Sequence, residues 1–351
     1  MTNQELHSLL FKGLAIPAQP LALNAERKLS EKHQKAITRY YFDAGVGGLA
    51  VGVHSTQFEI REPQHGLFKP VLELASRTLD EELAKNPRPF IKISGICGAT
   101  PQALQEAEFA KNTGYHASLL SLAALRDASL DELLAHCREV ASVIPIIGFY
   151  LQPAVGGRVL PFEFWRKFAE IPNVLAVKIA PFNRYQTIDV VRAIIEAGRD
   201  DIALSTGNDD SIVVDLLTNW KFSHAGEVTS RHIVGGLLGH WGVWTKKSVE
   251  LLEAIKVERE KPVISAKWLE TATAVTDMNA ALFDSANRFE GCIPGILEVL
   301  RRQGLTPNNY CLNPNEVLSP GQAEELDRVC AAYPELVDDD FVKENLDRWL
   351  S

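Results

Sequence analysis

Short apolar runs rich in β-branched residues recur along roughly the first 250 positions, and stretches with helical spacing of apolar residues separate them. This alternation is the one expected of strand–helix units around a parallel sheet. The runs predict strands over 14–17, 49–53, 90–96, 118–122, 144–150, 174–180, 202–205 and 236–243. The intervening spacing predicts helices over 31–43, 102–112, 130–143, 162–171, 187–197 and 210–219. Ser129 with Glu132 forms a capping box, and Thr100 before Pro101 places a cap ahead of a proline in a first helical turn. Eight such units point to an α/β fold, a (β/α)8 TIM barrel. After about Glu258 the strands cease and the pattern turns helical over 265–283 and 294–303, with a final helix opened by Ser319-Pro320 and backed by Gln322. The expected organisation is a barrel over 1–258 carrying the active site, with a helical C-terminal extension over 259–351. A doubly wound sheet is the competing architecture, but Gly45-Val46-Gly47-Gly48 precedes a strand, whereas a dinucleotide fingerprint follows one.

Composition narrows the function. Of 351 residues, 46% are hydrophobic and 23% charged, a balance that excludes a disordered or collagenous chain. The net charge of −9 and the lack of any basic run exclude a nucleic-acid binder and favour a small-molecule partner. The longest uncharged stretch, 140–157, is broken by Pro145, Gln152, Pro153 and Gly156-Gly157, so no membrane span is expected. Glu5 and Lys12 interrupt the N-terminal apolar residues and no basic n-region precedes Leu9, which points to a cytoplasmic protein. The five cysteines are scattered without a C-x-x-C pair and read as reduced thiols. The nine histidines include no H-x-H or H-x-x-x-H pair, so no metal is expected.

In a barrel the chemistry sits where the strands end at their C-terminal side. The polar residues there are His54, Ser55 and Thr56 after the second strand, Tyr150, Lys178, Asn208 and Asp209 after the seventh, and His240 near the eighth. Lys178 stands inside an apolar strand, where burial disfavours the ammonium and a neutral amine would be the nucleophile of a Schiff-base enzyme. The competing reading is a lysine whose stem packs and whose head reaches water. Tyr150 closes the preceding strand and could bring a phenol near the amine to shuttle protons, or could tie the strand end to a loop. The run from Gly52 to Gln57 offers hydroxyls and backbone N–H groups as a carboxylate cradle, or is ordinary punctuation. Ser205–Asp209 and Gly235–Gly239 fall where some barrels grip phosphate, although their glycines also suit tight turns.

Four segments together carry a resemblance: 44–56 ending in His-Ser-Thr, Gly148-Phe-Tyr-Leu-Gln-Pro153 followed by Gly157 and Leu160, 171–178 ending in Lys178, and 286–294 through Gly304-Leu305. They resemble the dihydrodipicolinate synthase/N-acetylneuraminate lyase family, and the 28 residues from Tyr150 to Lys178 match the family spacing. The resemblance implies a class I aldolase or dehydratase acting on pyruvate or a longer 2-oxo acid, with no metal or organic cofactor and a homo-oligomeric assembly, dimer or tetramer. It implies that Lys178 forms the imine, that Tyr150 relays protons, and that Ser55 holds the substrate carboxylate and assists the relay. His54 stands at the other position of the family's hydroxyl pair, and Thr56 and Asn208 complete the expected substrate-binding set. Two departures speak against the lysine-biosynthetic synthase itself: Val155 replaces a carboxylate-binding arginine, with Arg158 nearby, and Ser121-Leu-Ala-Ala124 replaces a segment supplying an aromatic hydroxyl. The alternative is a catalytically lapsed barrel that binds a 2-oxo acid without turning it over.

Overall fold

A computed structural model describes residues 1–351. Its strands are β1 (Ala15–Pro17), β2 (Gly48–Val51), β3 (Ile91–Ile96), β4 (Ala117–Leu120), β5 (Ile146–Leu151), β6 (Val174–Ala180), β7 (Ala203–Thr206), β8 (Asn219–His224), β9 (Glu227–His232) and β10 (Gly235–Leu238). All but β8 and β9 join one sheet in the order β1-β10-β7-β6-β5-β4-β3-β2, and a parallel bridge between Ala18 and Ala50 links its two ends. This is the expected (β/α)8 barrel, with helices between the strands and further helices at the C-terminus. No helix is long and apolar enough to cross a membrane.

The strands fall within two residues of their expected positions, except that the last one ends at Leu238 and gives way to a short turn of helix over His240–Gly242. The helix expected over 210–219 is confined to Ile212–Leu217, because Asn219 opens the antiparallel hairpin β8–β9. Ala225 and Gly226 both take positive φ at its tip, as a two-residue hairpin turn of matching twist requires. Four helices go beyond the sequence pattern: Asn3–Phe11, Phe68–Lys85, Thr245–Glu258 and Asp339–Leu350.

The chain condenses into two compact units. The first comprises 1–14, 91–237 and 255–264, and holds β3 to β7 with their helices. Its Ser129–Glu132 capping box is present, with Ser129 N–H donating to Glu132 Oε2 at 2.7 Å and Glu132 N–H to Ser129 Oγ at 3.3 Å. Thr100 is not a cap: Ala99 holds that position, and the Thr100 hydroxyl instead pairs with His136 Nδ1 at 2.9 Å.

The second unit comprises 15–90, 238–254 and 265–351. The C-terminal helix Asp339–Leu350 packs on helix Glu31–Ala44 through Trp349, whose ring lies 5.4 Å from that of Tyr40. Beside it the buried Asp338 carboxylate accepts from Tyr40 Oη (2.7 Å), Lys246 N–H (2.9 Å) and Gln303 Nε2 (2.9 Å). The helix expected at Ser319-Pro320 begins at Gln322 behind a Gly321 cap in the left-handed region. The Gln322 side chain accepts from Ser319 N–H at 3.1 Å and turns its amide inward onto the Gly291 carbonyl at 3.0 Å.

Candidate active site

In the first unit, β6 is buried along its whole length, and its fifth residue is Lys178. In-register partners on parallel neighbours project to the same side of a sheet. Phe149 on β5 and Ser205 on β7 are the partners of Lys178 and share its face. The side-chain nitrogen lies 4.5 Å from the centre of the Phe149 ring, and the residue is only 9% exposed. Gly207, just past β7, clears its path: a Cβ there would stand 2.6 Å from Lys178 Cε and 2.8 Å from Ala180 Cβ.

Tyr150 is turned away from the lysine, which corrects the proton-relay position expected from its spacing. It pairs with Ile179, not Lys178, and so occupies the opposite face of β5. That face looks onto helix Phe162–Phe168: a Cβ at Gly148 would meet Phe168 at 2.7 Å, and the Tyr150 ring lies 5.3 Å from Trp165. Its hydroxyl accepts from Leu160 N–H at 3.2 Å, and burial pushes the phenol above its ordinary range. This is the loop-tying role that the sequence left open.

Asn208, expected to bind substrate, has its side-chain amide engaged within the protein. Its Oδ1 accepts from Phe182 N–H (3.0 Å), where φ is +53°, and its Nδ2 donates to Thr187 Oγ1 (3.0 Å) and Asp215 Oδ2 (2.8 Å). Asp215 also accepts from Thr206 Oγ1 at 2.9 Å and pairs with Arg184, whose guanidinium lies over the Trp220 ring. The network pins the loop after β6 to the loop after β7. Burial pushes the Asp215 carboxyl up from 3.8 to about 6, against the donors that favour the anion. Folding thus raises this pKa, so its contribution to stability is complete below about pH 4 and lost as pH rises through about 6. Between those limits the wild type is expected to lose on the order of 2 kcal/mol more than Asp215→Asn, read from urea midpoints against pH.

Arg158 donates to the carbonyls of Leu125 (3.0 Å) and Ala128 (2.8 Å), so it ties down the loop after β4.

In the second unit, His54–Thr56 form a short turn of helix directly after β2. Ser55 is buried at 4% exposure, and the partly exposed His54 ring lies 5.9 Å from that of Phe58. Thr56, expected to contact substrate, here donates its hydroxyl proton to the Gln19 carbonyl at 2.7 Å and accepts from Gly52 N–H at 3.0 Å. The next residue, Gln57, adopts φ +69° and accepts from Leu312 N–H at 2.6 Å, fixing this turn to the C-terminal segment. No sequence signal marks Gln57, since its partner lies 255 residues away. His240 is buried with Nδ1 2.6 Å from Asn279 Oδ1, and burial brings its pKa down to about 4, so the imidazole is neutral. The five cysteines are free, and burial pushes Cys137 up to about 12, away from thiolate chemistry.

Comparison with known proteins fits this geometry. The sequence model of the dihydrodipicolinate synthetase family matches residues 15–237. Among solved structures, dihydrodipicolinate synthase from Oceanobacillus iheyensis is similar at 15% identity and a TM-score of 0.75, over 95% of this chain and 99% of that one. The synthase from Aquifex aeolicus gives 18% identity and 0.73, over 93% and 99% of the two chains. N-acetylneuraminate lyase from Fusobacterium nucleatum, solved in complex with pyruvate, gives 16% identity and 0.71, over 92% and 97%. No curated protein matches the chain in sequence.

Proposed function

Because this chain belongs to the dihydrodipicolinate synthetase family, whose members are class I aldolase-type lyases, we propose that it is a Schiff-base-forming lyase, an aldolase or dehydratase, acting on pyruvate or a longer 2-oxo acid. The observation that carries this reading is Lys178: a nearly buried amine on an apolar strand, with a glycine opposite its stem that leaves it room. Its nitrogen would attack the ketone carbon, and the protonated imine would then draw electrons from the neighbouring carbon, which permits aldol cleavage or loss of water. Ser55, on the family pattern, would hold the substrate carboxylate, with His54 as the substituted member of the pair. Val155 and Ser121–Ala124 depart from the synthase pattern, so the proposed reaction is not the lysine-biosynthetic one. The same departures motivate the rival reading, a lapsed barrel that only binds the acid.

The proton relay is not assigned to Tyr150, whose hydroxyl is held by Leu160 N–H on the far side of its strand. Exchange of the C3 hydrogens of pyruvate and of 2-oxobutyrate in deuterated buffer, followed by NMR, separates the readings. A Schiff-base enzyme exchanges them through the enamine, and Lys178→Ala does not. Tyr150→Phe should retain exchange within about threefold, because loss of a general acid or base costs about 100-fold or more. Ligand binding without exchange by the wild type would select the lapsed barrel.

A further inference from the structure

We infer that Phe149 is a catalytic residue of this site, its ring face holding the Lys178 nitrogen in cationic form both as the resting ammonium and as the iminium. The inference rests on the proposed Schiff-base reading and adds to it a group that touches the reacting nitrogen.

Phe149 and Lys178 are in-register partners on adjacent parallel strands, so both side chains project to one face, and the nitrogen sits 4.5 Å from the ring centre. That is within the distance at which an aromatic quadrupole attracts a cation, and the attraction grows as water is removed. Lys178 is 9% exposed and Phe149 is 6% exposed. The partner on the other side, Ser205 on β7, carries no charge.

The chemistry needs a cation at this point throughout. When the ammonium condenses with a ketone, two of its protons leave with the carbonyl oxygen as water, and the nitrogen keeps one proton, the new double bond to carbon and the positive charge. The charge therefore stays on one atom, and a ring face over that atom serves both states without rearrangement. The neutral amine that attacks is the form the ring favours least, so weakening the ring should lower the pH at which attack begins.

The titratable groups on the elements flanking Lys178 are Tyr150, turned to the outer face of β5, and Asp209 and Asp210 in the loop after β7; Asp215 faces Arg184. A change confined to the ring electrons of residue 149 leaves all of them in place. The test replaces Phe149 by 4-fluoro- and 3,4,5-trifluorophenylalanine, which keep the ring's shape while withdrawing its negative face, and follows borohydride trapping of pyruvate or 2-oxobutyrate against pH by intact mass. The pH of half-maximal trapping rate should fall stepwise with fluorination, by about 1 unit across the series. The extent of adduct should hold below that midpoint and drop above it, where the resting amine is neutral and only the iminium needs the ring. Phe149→Leu should behave like the trifluoro protein. A midpoint that does not move across the series overturns the role of Phe149 while leaving Lys178 intact. Absence of any adduct on the unsubstituted protein with either acid overturns both this inference and the reading it rests on.

Discussion

Gly207→Ala should reduce the rate of imine formation about 100-fold while leaving the protein folded. The added methyl would lie 2.6 Å from Lys178 Cε, 3.0 Å from Lys178 Cγ and 2.8 Å from Ala180 Cβ, all closer than unbonded carbons approach. Ala180 belongs to β6 and has little freedom to yield, so the flexible lysine stem gives way and its head leaves the Phe149 ring. A displacement of about 1 Å at a reacting group costs on the order of 100-fold, whereas overpacking of this size costs about 1–3 kcal/mol of stability. Trapping rates together with urea midpoints separate the two effects. A substituted protein that traps pyruvate at the wild-type rate would show that the lysine does not depend on the space Gly207 leaves.

The largest stability effect is expected at Asp338→Ala. The carboxylate is 2% exposed and serves Tyr40 Oη, Lys246 N–H and Gln303 Nε2 at once, joining helix Glu31–Ala44 and the start of helix Thr245–Glu258 to the C-terminal segment. Tyr40 Oη also accepts from Thr245 N–H at 2.7 Å, so the phenol has both of its roles filled in the native network. Removing the acceptor leaves buried donors unpaired, at about 1–3 kcal/mol for each one that water does not reach. A loss of about 3 kcal/mol in urea unfolding is predicted, with Asp338→Asn losing less because an amide oxygen still accepts. A loss below about 1 kcal/mol would mean that the C-terminal helices are held without help from this carboxylate.

The barrel was legible in the sequence because buried parallel strands read as short apolar runs and the helices between them as periodic ones. Lys178 was legible for the same reason, as a charge in a run that should hold none. The facing of Tyr150 was not, because a strand buried on both sides carries no polar alternation to tell inside from outside. Ile147, Gly148, Phe149 and Tyr150 are all apolar or aromatic, and only the register with β6 shows that 149 rather than 150 meets the lysine. Thr56 and Asn208 illustrate a second limit: a polar residue at a strand end suits a ligand or a loop equally well, and their partners, the Gln19 carbonyl and Asp215, are fixed only by the fold. The hairpin β8–β9 escaped notice because it follows a helical run directly, without the glycine or proline that usually marks such a change; its turn signal, Ala225-Gly226, lies in the middle. The last helix does carry helical spacing, with Val342, Leu346 and Trp349 at i, i+4 and i+7, of which Val342 and Trp349 are buried.

The proposed chemistry depends on Lys178 as the imine-forming residue. Intact mass after borohydride reduction with saturating pyruvate, repeated with 2-oxobutyrate, compares wild type with Lys178→Ala most directly. One covalent adduct is expected on the wild type, mapped to Lys178 by peptide analysis, and none on the substituted protein. No adduct on the wild type with either acid, or an equal adduct on both proteins, would contradict it.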